Sequence, residues 1–128
     1  MEIQVPISPG ELIDKLTILE IKAANISDAT KLANVNIELE LLQETWRSSA
    51  FASANIDAEW KQLREINKKL WDIEDEIRDQ ERERRFDQEF IELARAVYFT
   101  NDERAAVKKQ INTKLGSKIV EEKSYAKY

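Results

Sequence analysis

Three groups of polar residues in this sequence could do chemistry. In the first, Trp60, Arg64, Asn67, Trp71, Glu74, Arg78, Glu81 and Arg85 recur at spacings of four and three. That spacing sets them on one stripe of a helix. Glu74 precedes Arg78, and Glu81 precedes Arg85, by four residues. Read as a solvated ladder, each such pair adds only about 0.2–0.5 kcal/mol. Read as a groove, the same stripe lets Trp71 stack a planar group while Arg78 grips a carboxylate or phosphate.

The second group is Arg95, Tyr98, Asn101, Asp102, Arg104, Lys108 and Asn112, of which Arg104, Lys108 and Asn112 step by four. Basic side chains gathered between helices could receive a small anion. Alternatively, Arg95 and Arg104 pair with the acidic helix before them. The third group is Asp14 and Lys15. Asp14 shares a face with Ile18 and Ile21, and if that face is buried its carboxylate needs a partner, either a salt bridge or a ligand. The carboxylates Asp72, Glu74, Asp75, Glu76 and Asp79 are dense enough to raise metal binding, and Glu76 and Asp79 have the three-residue spacing of a magnesium-holding pair. Glu38, Glu40 and Glu44 supply no second pair of that spacing. One bare dyad is too few oxygen ligands, so neither a metal nor another cofactor is expected.

Composition narrows the remaining chemistry. The 128 residues include no histidine and no cysteine, which removes imidazole bases, thiol nucleophiles and most zinc sites. Two glycines cannot build a Walker loop or a dinucleotide-binding turn. Acids outnumber bases 25 to 20, for a net charge of −5. Bulk nucleic-acid binding is not expected, because a phosphate backbone demands a basic face. The bases do concentrate in the last 28 residues, where a smaller anion could be met. No 18-residue apolar run and no basic-then-apolar N-terminus occur, so neither a membrane span nor a secretory signal is expected and the cytoplasm is the default location.

Helices must position these groups. A chain of this length can bury about two thirds of its unfolded surface without staples. Ile3, Val5 and Ile7 alternate with polar residues and Pro6, which predicts an extended arm over 1–7 with one face buried. Ser8-Pro9-Gly10-Glu11 reads as a capping box with proline in the first turn. The helix behind it carries Leu12, Leu16, Leu19, Ala23 and Ile26 on one stripe and Ile18 and Ile21 on another. Ser27 or Asp28 caps a second helix striped with Leu32, Val35, Leu39, Leu42 and Trp46, with Ile37 and Leu41 on a minor face. These two helices form a first helical hairpin over 8–47. Small polar residues at 48–55 connect it to a long third helix capped by Asp57, with Leu63, Ile66, Leu70, Ile73 and Ile77 as its stripe. A bend is expected near 86, where Asp87 could cap a segment with Phe86, Phe90, Leu93 and Val97. Thr100-Asn101-Asp102 reads as the cap of a final helix, with Gly116 at its C-terminal left-handed position. A tail covers 116–128. The expectation is a single all-α domain, antiparallel helical hairpins in a bundle of four to five helices.

Three segments carry a family likeness: Gly10 to Lys22, Trp71 to Arg78, and Phe90 to Tyr125 with Asn101-Asp102, Gly116-Ser117 and Glu121-Glu122-Lys123-Ser124-Tyr125. Together they resemble a family of short bacterial and phage-associated helical proteins catalogued as a domain of unknown function. The resemblance spans nearly the whole chain and implies a shared helical fold without an activity. Members tend to carry a glycine near Phe86-Asp87-Gln88, which is lacking here, so the sharpness of that bend is open. The polar residues within the matching segments are the candidates for a shared site. Arg78, Arg95 and Arg104 would hold an anion, Trp71 and Tyr98 would flank it, and Glu74 or Asp14 would orient the basic groups, with Lys15 beside them.

The reading that follows is a non-catalytic binding or assembly module, dimeric through the second faces of its early helices, with a protein or small anionic ligand as partner. The alternative is a helical-bundle enzyme acting on a phosphorylated sugar, nucleotide or dicarboxylate without histidine or cysteine chemistry.

Overall fold

Ser8 opens the first helix: its Oγ accepts the backbone N–H of Glu11 at 3.1 Å, and Pro9 occupies the first helical turn. The expected reciprocal bond of a capping box does not form, because the Glu11 carboxylate turns instead to Lys108 and Lys15. The computed structural model describes all 128 residues and contains four helices, α1 (Pro9–Asn25), α2 (Ala29–Arg47), α3 (Asp57–Arg82) and α4 (Gln88–Lys114), and no strand. Asp28 caps α2 by accepting from Lys31 N–H at 2.9 Å. Asp57 does not cap α3, since Ile56 holds that position and Asp57 is the first helical residue. No helix is long and apolar enough to cross a membrane.

α1 is the central element, packed against each of the other three helices, and α3 and α4 share the broadest contact. The core joins Ile13 of α1, Ile56, Leu63, Ile66 and Leu70 of α3 and its approach, and Val107 and Ile111 of α4. Full burial of one such side chain is worth about 1.5–3 kcal/mol. Leu12, Leu16 and Leu19 on the first expected stripe of α1 and Ile21 on the second are also buried, so the second face is used within the chain. α2 differs from the rest: it packs on α1, meets α3 through Trp46 and Trp60 edge to face at 5.6 Å, and contains no buried residue.

Three further expectations are corrected, one in the N-terminal arm and two in the second half of the chain. The arm over 1–7 has no buried face, with Ile3 91% and Val5 67% exposed, because no strand lies beside it to take its apolar side. Near residue 86 the helix stops rather than bends, with α3 ending at Arg82 and α4 beginning at Gln88. At the end of α3, Arg84 N–H bonds to Glu81 O and Arg85 N–H to Gln80 O, with Arg84 itself in the left-handed region at φ 55°. This is the stop normally built on glycine, made here on arginine. Gly116 forms the same stop after α4, at φ 66° with Ser117 N–H on Asn112 O.

The third correction concerns the last helix. Thr100-Asn101-Asp102 starts nothing: α4 runs through it unbroken from Gln88 to Lys114, so there are four helices and no fifth. Thr100 is buried, and a potential capping residue packed into a helix interface has no reason to interrupt the ladder. After Gly116 the tail has no helix, and Glu121 and Tyr128 lie back against Lys108 and Asp102 of α4.

Candidate functional site

The upper part of the α3 stripe is closed by α1. Glu20 accepts from Trp60 Nε1 at 3.3 Å and from Arg64 Nη1 at 2.9 Å. One turn further on, Asn67 is buried and its Nδ2 donates to Asp14 Oδ1 and to Thr17 Oγ1, both at 2.9 Å. The Thr17 hydroxyl in turn donates to the backbone carbonyl of Asp14 at 2.8 Å. Beyond Asn67 the helices part, and a groove of about 490 Å³ opens between α1, α3 and α4. Its wall on α3 is Asn67, Trp71, Glu74 and Arg78 from one stripe, with Leu70 and Asp75 at its sides; α1 supplies Ile18 and Ile21, and α4 supplies Asn101 and Arg104.

Of the eight candidates, the structure gathers Trp71, Glu74, Arg78 and Arg104 along this groove. Glu74 Oε2 accepts from Arg78 Nε at 3.3 Å and lies 3.2 Å from its Nη2, an exposed pair one turn apart on α3. Arg104 is half-buried and forms no ion pair, since none of the eleven in the molecule includes it. Asp14 lies behind the wall, buried, as the acceptor of Asn67.

The remaining three candidates stand elsewhere. Lys15 is exposed and pairs with Glu11 at 3.6 Å. Arg95 is exposed, its guanidinium 5.7 Å from the Phe99 ring centroid. Tyr98 packs with Phe99 and Tyr128, at centroid distances of 4.9 and 5.4 Å, in a second hollow formed with the tail. The continuity of α4 explains the separation. Arg95 precedes Arg104 by nine residues, which in an unbroken helix is two and a half turns, about 13–14 Å along the axis and on the opposite side. A helix break at 100–102 would have left their relative direction free.

Behind the groove, Lys108 is the residue that sequence reasoning grouped but did not select. Its Nζ lies 2.5 Å from Glu11 Oε2, 3.1 Å from Glu121 Oε2 and 3.8 Å from Asp14 Oδ2. Burial by itself would lower the Lys108 pKa, but the bonds to Glu11 and Glu121 and the charges of Asp14 and Glu11 raise it above the usual lysine value. Burial likewise works to raise Glu11, yet Lys108 and then Lys15 hold it below the usual carboxylate range. One turn along α4, Asn112 Oδ1 accepts the Gly10 N–H at 2.8 Å. The signal for this network was present in the four-residue step from Arg104 to Lys108 to Asn112 and in the polar Asp14 on an apolar face.

The acidic run of α3 stays dispersed. Asp72 pairs with Lys68 at 2.8 Å and Asp79 with Arg82 at 2.5 Å, and no three acidic side chains converge in a way that could hold a metal ion.

A family model described as a family of unknown function, DUF6165, matches residues 3–128. No curated protein and no solved structure matches the chain.

Proposed function

The chain belongs to the DUF6165 family of unknown function, and from its groove we propose a non-catalytic binding module for a small molecule with an anionic group on a planar or apolar body. One observation carries this reading: Arg104 lines the groove half-buried and without a carboxylate within 4 Å, whereas Arg78 is already satisfied by Glu74. A guanidinium partly withdrawn from water gains most from a forked contact with a carboxylate or phosphate. Trp71 supplies a face for the body of the ligand, and Ile18, Ile21 and Leu70 supply the apolar floor. Binding rather than turnover is favoured because the lining contains neither an imidazole nor a thiol. The test is a thermal-shift screen with nucleotides, sugar phosphates and dicarboxylates, in which an anion that stabilises the protein must cease to do so in Arg104→Ala.

The assembly part of the reading rests on α2. Ile37 is 61% and Leu41 51% exposed, one turn apart, on a helix with no buried residue. The arrangement read here is two antiparallel helical hairpins, α1 with α2 and α3 with α4, and a dimer formed when two copies cover each other's α2. The other expected dimer surface, Ile18 and Ile21 of α1, is taken by the groove.

A further inference from the structure

We infer that the groove takes a zwitterion, an α-amino acid with an apolar side chain, rather than a simple anion; this rests on the binding role proposed above and specifies its ligand. Four charged side chains line the groove: Glu74, Asp75 and Arg78 on α3, and Arg104 on α4. Glu74 and Arg78 pair with one another at 3.2 Å. What is left is one carboxylate, Asp75, and one guanidinium, Arg104, on different helices. Neither belongs to any of the eleven ion pairs, so more than 4 Å separates their charged atoms.

That residue of one negative and one positive charge decides between ligand classes. A ligand carrying only anions would gain at Arg104 and be opposed by Asp75 in the same groove. A ligand carrying an ammonium beside its carboxylate gains at both walls, the carboxylate forked onto Arg104 and the ammonium onto Asp75. Two further polar residues, Trp71 and Asn101, line the groove, and their side chains take part in no hydrogen bond, while their neighbours Asn67 and Glu74 do. Between the charged walls, Ile18, Ile21 and Leu70 offer a floor for an apolar side chain, and Trp71 a face for an aromatic one.

Calorimetric titration with three probes of one shape tests the assignment: L-phenylalanine, 3-phenylpropanoate, which lacks the ammonium, and 2-phenylethylamine, which lacks the carboxylate. L-phenylalanine is expected to bind at least ten times more tightly than either analogue. Asp75→Asn should erase its advantage over 3-phenylpropanoate, and Arg104→Gln its advantage over 2-phenylethylamine. Both variants should melt with the parent protein in the absence of probe, because neither residue is paired. Equal binding of L-phenylalanine and 3-phenylpropanoate overturns the zwitterion and leaves the anion reading standing. Failure of L-phenylalanine to bind, with an Arg104-dependent anion found in the thermal-shift screen, does the same; silence in both experiments overturns both.

Discussion

Gly10 and Asn112, 102 residues apart, are joined by a hydrogen bond of 2.8 Å from the Gly10 N–H to the Asn112 side-chain oxygen. The contact is so close that a Cβ on Gly10 would stand 2.6 Å from Lys108 O and 2.8 Å from Asn112 Oδ1. α1 therefore begins directly against the last turns of α4, and glycine is required there for space rather than for an unusual backbone angle.

Gly10→Ala should accordingly destabilise the protein by about 1–3 kcal/mol, the range for overpacking and for a buried donor that loses its acceptor. Gly116→Ala is the control. Its added Cβ meets nothing within 4 Å, and only its φ of +66° is unfavourable, so a loss of about 1 kcal/mol is expected. Urea melts of the two variants at equal slope measure the difference.

The Lys108 cluster sets a pH dependence. Glu11 has a lowered folded-state pKa, so its contribution is fully present above the unfolded value of about 4.3 and is lost as pH falls through the lower folded value. Lys108 has a raised one, so its contribution is complete below about 10.4 and lost as pH rises past its folded value. Glu11→Gln should flatten the acid limb of stability against pH. Lys108→Met leaves carboxylates uncompensated near Asp14 and should cost about 2–4 kcal/mol at neutral pH.

Arg84 occupies a left-handed backbone position, φ 55°, at the turn between α3 and α4, where a side chain is costly. Arg84→Gly should raise stability by about 0.5–1 kcal/mol, with the gain reduced by the greater freedom of glycine in the unfolded chain. A variant that melts below the parent would show that the Arg84 side chain makes a stabilising contact outweighing its backbone strain.

Arginine substitutions separate the groove from its surroundings. At about one hundred times its dissociation constant, a groove ligand should add about 2.7 kcal/mol to stability. Arg104→Ala is expected to abolish that gain, and Arg95→Ala, on the far side of α4, to retain it fully. Loss of the gain in Arg95→Ala with retention in Arg104→Ala would relocate the site to the hollow around Tyr98.

Mass measured by light scattering tests the α2 surface. The parent is expected at twice the 14.9 kDa chain mass, and Ile37→Glu with Leu41→Glu at one chain mass with an unchanged helical spectrum. A parent of one chain mass at all concentrations would remove the dimer.

Much of the local order was legible from the residues alone. Ser8, Asp28 and Gly116 mark helix ends because capping uses atoms within four residues of one another. The stripe Leu63 to Ile73 marks a buried face because helical periodicity is a local rule. Even half of the groove was visible, since Trp71, Glu74 and Arg78 share one helix and their spacing alone puts them on one side. The helix stop at Arg84 was not, because an arginine carries no signal for a left-handed angle that the rest of the turn imposes on it.

Which charge meets which was decided only by the tertiary structure. Arg104 and Arg95 are the same residue type in one helix, yet one lines the groove and the other lies over Phe99, because the unbroken path of α4 through Thr100 turns them to opposite sides. Asp14 looked isolated until α3 and α4 brought Asn67 and Lys108 to it. The sequence determined the helices and their apolar faces through interactions a turn or two long; the pairing of polar groups depended on how those helices cross, and crossing is a property of side chains that are far apart in the chain.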